Sequence, residues 1–493
     1  MPDVWVKLTD FAEAFRSNTR YIGAIKANRD VPTSEIIKAL IDNHKGLAEW
    51  QRTLYERYKA TSDGVPIFNR QLVQNENAGK INNKLNNDFP GEIVDTKVGY
   101  FIGNPISYVS GEGETPEEIK EFNRNNDVED LDAETVKMAA ITGLAARLLY
   151  INPEGREAVK CAKPWECVFL YEDSIIKPDY AMRYYAGYDE LGRAATFVEW
   201  YTPGFVAFFR AVGENPFTEY AVRKVHRFGA CPLFGIPNNE ELQSDFQKVI
   251  SLVDAYDRAL SDVNSEIEQL RLAYMVVRGL IVGENEDETQ QFLRKLQQTG
   301  LIEIDAEGEV KFITKEINAE FIEKHLDRLE KRITQGAKTV NFSDEAFGGN
   351  LSGVALKYKL FNLETKCMYL QNKLTKALRH QFRMLANSWK GRTPFYTQVA
   401  NAIKGTKAFD PNSLEFKFTR NVFVDYSTEA DVLGKLTGLI STETAYSLMS
   451  FIPNPRAEME KKQQEIEEFG PVIDLDDAGD EDDEEEGDDG KAV

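Results

Sequence analysis

Apolar residues recur every three or four positions in four stretches of the first third of the chain. The stretches are Ser34–Ala60, Phe89–Tyr100, Pro116–Asn126 and Asp132–Leu149. This period places the apolar side chains on one face of a helix, and Ser34 stands where an N-cap is expected. The pattern therefore predicts four helices.

The same period is stronger in the second half of the chain. Ser244–Leu270 steps by alternating threes and fours, which is typical of a coiled-coil-like helix, and Ala319–Gly336 carries a narrow apolar stripe. Gly353–Trp389 is apolar on two faces, which predicts packing between two layers. Two short helices broken near Ser441 are predicted over Ser427–Phe451. A charged helix is predicted over Arg456–Phe469.

Short runs of aromatic and β-branched residues separated by turns predict strands. Those of the first half are Val168–Tyr171, Tyr180–Tyr185, Thr196–Tyr201 and Val206–Phe209. A compact insert between the two long helices adds strands Met275–Val282, Leu301–Ile304 and Val310–Ile313 and a short helix Thr289–Gln298, and Leu414–Phe418 is strand-like. Gly229–Asn239 has so many breakers that it predicts an irregular boundary. The predicted fold class is α+β and helix-rich.

Composition and charge change this picture mainly at the C-terminus. The 493 residues are 42% apolar, which suffices for large cores in two to four structural units. Of the formal net charge of −22, the segment Asp474–Val493 carries −11, from 12 acidic residues and one lysine. Such a segment is expected to be a solvated, disordered tail rather than a cation site. The remaining body is only mildly acidic.

The search for catalytic chemistry gives no constellation. Phosphate-binding loops, dinucleotide-binding glycine motifs and nucleophile elbows are absent from the sequence. The four histidines and four cysteines lack metal-ligand spacing, so the cysteines are expected to be reduced thiols. No apolar run reaches membrane-spanning length, and no secretory signal pattern opens the sequence. We expect a protein of a cytoplasm-like compartment that is not an enzyme and takes no cofactor or metal.

The order of elements is more informative than any single motif. A long helix, a compact insert and a second helix with a charged face form a projecting hairpin, and a polar, glycine-containing loop at Lys338–Ser352 follows. A helix with a narrow apolar stripe and a charged opposite face suits the wall of a water-filled channel. An ordinary exposed helix whose charges pair with each other fits the same pattern.

Four separated segments resemble one family, the portal proteins of tailed double-stranded-DNA bacteriophages, of the siphophage type that infects Gram-positive hosts. They are Phe89–Ile106, Pro237–Glu240 with Ser244–Phe246, Leu252–Asp257, and Ser352–Lys357. Their order and spacing match as well, and the resemblance covers roughly residues 20 to 470. The acidic tail lies outside the pattern.

The resemblance implies a ring, with about twelve subunits, built from regions called wing, stem, clip and crown. The implied regions are 1–240 for the first part of the wing, 241–270 and 319–337 for the stem helices, 271–318 for the clip, 338–352 for the tunnel loop, 353–389 for the long helix, 390–425 for the wing return, 426–470 for the crown and 471–493 for the tail. The subunit would stand at one capsid vertex of the virion, assembled in the host cytoplasm. It would serve packaging, retention and ejection of the genome.

On this interpretation the channel side chains contact DNA weakly and without sequence specificity. The candidate DNA-facing residues are Lys324, Arg328, Lys331, Arg332, Lys338, Asn341, Gly348, Gly349 and Asn350, the glycines allowing the tunnel loop to move. The implied partners are the terminase motor, which supplies ATP hydrolysis, and scaffold, capsid and head-completion proteins. Two alternatives stay open: a helical scaffold or adaptor of the virion that never contacts DNA, and a DNA-processing enzyme.

Overall fold

The computed structural model describes residues 15, 17–71, 81–110, 115–270, 274–278, 290–291, 294, 309–313, 319–341, 353–392, 409–421, 431, 433–436, 438–447, 449, 452 and 455–470. The chain divides into two compact units, residues 1–99 with 133–392 and residues 100–132 with 393–493. The first unit contains the long helices and most of the described strands.

A five-stranded antiparallel sheet forms one layer of the first unit. Its strands pair in chain order, β4 (Cys167–Leu170), β5 (Tyr180–Tyr188), β6 (Ala194–Tyr201), β7 (Phe205–Val212) and β8 (Thr218–Val225). The four strands predicted in this region are confirmed: β5, β6 and β7 are longer than predicted, and β4 has the predicted length but begins one residue earlier. Strand β8 was not predicted because all eight of its residues are exposed, so it lacks the alternation that marks a half-buried strand.

Two helices cover one face of this sheet and complete its core. Helix α1 (Ile22–Ala27) and helix α2 (Ser34–Tyr58) bury Ile25 and Leu40 against strand residues such as Trp200. The N-cap of α2 is Thr33 rather than the predicted Ser34, because the Thr33 hydroxyl accepts the Ile36 amide at 3.5 Å. The core therefore combines apolar helix faces with the inward-facing positions of the strands.

A second, three-stranded sheet corrects two predictions. It has the order β3 (Glu157–Ala162), β2 (Leu144–Ile151), β9 (Leu233–Pro237). The helix predicted over Asp132–Leu149 is wrong beyond Thr142: helix α5 (Val128–Thr142) ends there, and β2 follows. Gly143 forces the change, since its φ is +82° and a Cβ would lie 2.0 Å from the Leu242 carbonyl oxygen.

The predicted irregular boundary Gly229–Asn239 contains strand β9, which is buried along its whole length. Gly235 is a packing requirement rather than a breaker, because a Cβ there would lie 2.8 Å from the side chain of Ile175. The prediction of irregular structure is therefore wrong for residues 233–237.

Four long helices complete the first unit. They are α3 (Phe89–Ile102, whose last residues belong to the second unit), α6 (Ile250–Leu270), α7 (Ala319–Ala337) and α8 (Gly353–Arg392). Between α6 and α7, strands β10 (Tyr274–Arg278) and β11 (Glu309–Ile313) pair antiparallel, which confirms two strands of the insert. The predicted strand Leu301–Ile304 and most of the predicted helix Thr289–Gln298 lie outside the described residues.

Helix α6 begins later than its apolar period predicts. Ser244 donates to the Ala140 carbonyl at 3.1 Å, and a 3₁₀ turn over Gln247–Val249 precedes the helix. Helix α7 packs against α6 and against the 3₁₀ turn before it, and a Cβ at Gly336 would lie 2.7 Å from the Cγ1 atom of Val249 in that turn. The pair forms a tightly packed two-helix unit.

An extended segment, residues 81–88, is bound along one face of α6. The backbone amides of Asn83, Leu85 and Asn87 donate to Ser265, Ser261 and Asp257 at 3.1, 2.9 and 2.9 Å. Alternate residues of an extended chain and helix positions four apart have similar spacing, about 6 to 7 Å, so the two match repeatedly. These hydrogen bonds provide acceptors for backbone amides of the segment that take part in no helix or sheet.

Helix α8 follows the two-layer prediction in only part of its length. In its second half, Ala377, Leu378, Phe382 and Leu385 are all buried, so the chain covers both faces. In its first half one face is buried, with Leu363, Cys367 and Leu370 at 0% exposure. The other face is in solvent, with exposures of 78% for Tyr358, 67% for Phe361, 52% for Met368 and 58% for Tyr369. A single chain therefore buries both apolar faces of α8 only in the second half of the helix.

The second unit is smaller and has its own sheet. Strand β1 (Ser107–Val109) pairs antiparallel with β12 (Glu415–Lys417), which confirms the strand-like character of Leu414–Phe418. Its helices are α4 (Glu117–Asn125), α9 (Thr442–Ser447) and α10 (Pro455–Phe469). The helix predicted over Arg456–Phe469 is confirmed. The acidic tail lies outside the described residues.

Candidate nucleic-acid interface

The charges of α7 are divided by sign around the helix. With about 100° per residue, the apolar stripe of Ile322, Leu326, Leu329 and Ile333 lies on one face. Glu323, Asp327 and Glu330 recur at i, i+4 and i+7 beside it. Lys324, Arg328 and Lys331 follow the same spacing on the face opposite the apolar stripe, and Arg332 lies beside them. We call Lys324, Arg328, Lys331 and Arg332 the basic strip.

The fold explains this orientation. Ile333 is fully buried and Leu326 and Leu329 are half-buried where α7 packs on α6, so the basic strip points away from α6. All four basic side chains are exposed. Lys324 forms an ion pair with Glu320 one turn earlier. Among the described residues, Arg328, Lys331 and Arg332 form no ion pair, which leaves three charges for an external anion.

Two further candidates lie just after the helix. Lys338 is exposed and ends α7 with a positive φ of +54°, and Asn341 donates to the Glu330 carboxylate at 3.4 Å. The candidates Gly348, Gly349 and Asn350 lie outside the described residues, so their placement stays a prediction. The structure thus places five basic candidates on one helix and at its C-terminal end.

This arrangement can bind a polyanion through its phosphates without reading a base sequence. Exposed ammonium and guanidinium groups attract phosphates electrostatically, and this attraction carries no sequence information. The acidic flank limits the net positive charge and therefore the affinity. The chemistry fits weak, sequence-independent contact with a nucleic-acid backbone.

Other candidate chemistry is not assembled in the part of the chain that the structure describes. No group of three or more metal-ligating side chains is found there, and the four cysteines are free thiols. His44 is buried, and burial lowers its pKa to about 3, as befits a neutral packing residue. Among the described helices, none is long and apolar enough to cross a membrane.

One charged cluster of the fold leaves no signal in the sequence. Asp245, just before α6, lies between Lys97 of α3 and Lys366 of α8, with nitrogen–oxygen distances of 2.9 and 3.2 Å. These residues are far apart in the sequence and share no local spacing. Only the tertiary fold brings them together.

Comparison with known proteins gives concordant matches. A family model described as phage portal protein, SPP1 Gp6-like, matches residues 37–471. The portal protein of Bacillus phage SPP1 is 25% identical over 483 residues, covering 93% of this chain and 92% of that protein. The portal protein of Clostridium phage phiCD119 is 23% identical over 434 residues, covering 83% of this chain and 90% of that protein.

Proposed function

Because this chain belongs to the phage portal protein family, SPP1 Gp6-like, and is a portal subunit, we propose that copies of it close into a ring whose bore is lined by the basic strip of α7. Duplex DNA passes through this bore during packaging, is retained behind it and leaves through it. The number of subunits proposed is about twelve. The observation that carries the proposal is the position of the basic strip, opposite the face that α7 packs on α6.

Weak binding is what a conduit needs. Each phosphate neutralised by a bound cation adds affinity through counterion release, so a strongly basic bore would hold DNA in place. The three unpaired basic side chains, flanked by Glu323, Asp327 and Glu330, keep the attraction small. DNA is then centred and remains free to slide.

The exposed apolar face of α8 supports the ring. Tyr358, Phe361, Met368 and Tyr369 are more than half exposed along the first half of the helix, whereas apolar side chains in such number are normally covered. A neighbouring subunit supplies the cover. A cyclic ring joins two different faces of the chain, so this face contacts some other surface of the next copy.

The remaining partners follow from the role. The insert between α6 and α7 docks the terminase motor, which supplies ATP hydrolysis, and capsid, scaffold and head-completion proteins contact the rest of the ring at one vertex of the virion. Assembly takes place in the host cytoplasm. The rival scaffold or adaptor role does not use the basic strip.

The test replaces the five basic residues Lys324, Arg328, Lys331, Arg332 and Lys338 by alanine in the infecting phage. Packaged and retained DNA per particle is measured, with ring formation checked by microscopy. We expect intact rings with reduced packaging or retention. The matched control exchanges lysine for arginine and arginine for lysine at the same positions, which keeps the charge and should preserve function. Unchanged packaging and retention in the alanine variant would show that the strip does not contact DNA.

A further inference from the structure

A cavity of about 540 Å³ lies in the first unit, where the turn before α6, the end of α7 and the middle of α8 meet. Its volume is within the range of small-molecule sites. Five lysines line it, namely Lys97, Lys248, Lys338, Lys366 and Lys373, against three carboxylates, Asp245, Glu240 and Glu241. The lining is therefore net positive in a protein that is acidic as a whole.

The inner wall of this cavity holds an unbalanced buried charge. Lys97 and Lys366 both pair with Asp245, and the three side chains are 1%, 13% and 4% exposed. Two ammonium groups thus share one carboxylate. Their other acceptors are neutral: Lys97 donates to the Asn238 side-chain oxygen at 2.7 Å, and Lys366 donates to the Ala337 carbonyl at 2.7 Å. A buried net charge is costly unless a counter-ion balances it.

The titration behaviour of these groups agrees with a positive local potential. Burial by itself would raise the pKa of Asp245, but Lys366 and Lys97 outweigh it and lower that pKa to about 2. Burial and the neighbouring charge of Lys97 lower the pKa of Lys366, although Asp245 acts in the opposite direction. The cluster has one positive charge more than its partners neutralise.

The rim of the cavity adds further cations. Lys373 pairs with Glu240, whose carboxylate is 76% exposed, and Glu241 is exposed as well, so these two acids lie toward solvent. Lys248 and Lys338 form no ion pair with any described residue. The free ammonium groups therefore come from the turn before α6 and the end of α7, and they border the same space as Lys366 and Lys373 of α8.

We propose that this cavity binds a small, free, multiply charged anion of the phosphate class, such as inorganic phosphate or pyrophosphate. Lysine ammonium groups bind phosphate as point charges, and the anion's several oxygens can accept from Lys248, Lys338, Lys366 and Lys373 together. The bound anion neutralises the excess charge around Asp245. It also links the end of α7 to α8, where Lys366 already holds the Ala337 carbonyl. This site shares Lys338 with the candidate DNA-facing residues but contains no residue of the basic strip, and it goes beyond the conduit function.

Isothermal titration of the purified full-length chain with pyrophosphate, at constant ionic strength, tests the proposal. Lys248→Gln with Lys373→Gln removes two cavity cations and leaves every proposed DNA-contacting residue in place. Lys38→Gln with Lys376→Gln removes two exposed lysines outside the cavity and is the matched control. We expect saturable binding at one site per chain, weakened by at least roughly tenfold in the cavity variant and unchanged in the control.

Three results would overturn the proposal: no saturable binding to the unmodified chain, equal binding by the cavity and control variants, or release of the anion by a short DNA duplex with the same dependence on Lys248 and Lys373. The last result would assign the cavity to the DNA path rather than to a free anion. Because the cavity variant keeps the basic strip, normal DNA packaging by it would leave the conduit proposal intact while the anion site is judged alone.

Discussion

Asp257 of α6 is a buried carboxylate whose replacement by asparagine should alter the pH dependence of local stability. It is 1% exposed and accepts the Asn87 amide at 2.9 Å. Burial, and after it the neighbouring charge of Asp254, raises the pKa of Asp257 from 3.8 to about 6. In the unfolded chain the group ionises at its ordinary, lower pKa. Its contribution to stability is therefore greatest below that pKa and is lost as the pH rises through about 6.

The magnitude follows from the shift. A difference of about two pKa units corresponds to about 3 kcal/mol at about 1.36 kcal/mol per unit, and screening by nearby solvent reduces this to about 2 kcal/mol. Asparagine does not titrate. The free energy of unfolding of the Asp257→Asn variant, minus that of the unmodified chain, should therefore rise by about 2 kcal/mol between pH 4 and pH 7. Any pH-independent effect of the amide changes this difference equally at both pH values.

Hydrogen exchange of peptides from residues 81–88 and 250–270, followed by mass spectrometry, measures this quantity where it acts. Variant and unmodified chain are compared at the same pH, so that intrinsic exchange rates nearly cancel. Asp262→Asn, at an exposed carboxylate of the same helix, is the control and should show no such gain. A difference that stays constant from pH 4 to pH 7 would show that ionisation of Asp257 does not lower the local stability.

Three further substitutions test the packing of the first unit. Gly336→Ala should destabilise the contact between α7 and the 3₁₀ turn before α6 by about 1 kcal/mol, because the added methyl would lie too close to the stiff side chain of Val249. The measurement is a lower Tm, and an unchanged Tm would contradict the close approach. Arg57→Ala should cost about 2 kcal/mol in urea unfolding by leaving Asp254 without its partner at 2.7 Å, and Asp254→Ala in the same chain should recover part of the loss; absence of recovery would argue against coupling. Phe361→Glu should leave the subunit folded, since this side chain is 67% exposed. It should shift size-exclusion profiles from rings to smaller species, whereas the control Asn362→Glu should not. Normal rings with Phe361→Glu would show that this face of α8 is not part of the subunit interface.

Long amphipathic helices were the most predictable part of the fold. The apolar period of α7 runs over five turns, and it fixed the bounds of the helix to within one residue. Strand β2 was misread because its first six residues are all buried, so its apolar run continues that of α5 without alternation. Strand β9 was misread because Gly235 serves close packing, a need that is visible only in three dimensions.

The candidate site was predictable in its residue types and less so in its arrangement. The sequence predicted a charged face on this helix, and only a fixed helix phase separates Lys324, Arg328 and Lys331 from the acidic flank. The cluster around Asp245 depends on three elements distant in sequence, and the extended segment 81–88 is held by single hydrogen bonds to α6. Neither leaves a local pattern, because their partners are chosen by tertiary packing.

Electron cryo-microscopy of the purified full-length chain under assembly conditions shows whether the subunits close into a ring and which side chains face its bore. We expect closed rings with a central bore wide enough for duplex DNA, with Lys331 and Arg332 facing that bore and Phe361 covered by the next subunit. A chain that stays monomeric under all assembly conditions, or a ring whose basic strip faces outward, would contradict this expectation.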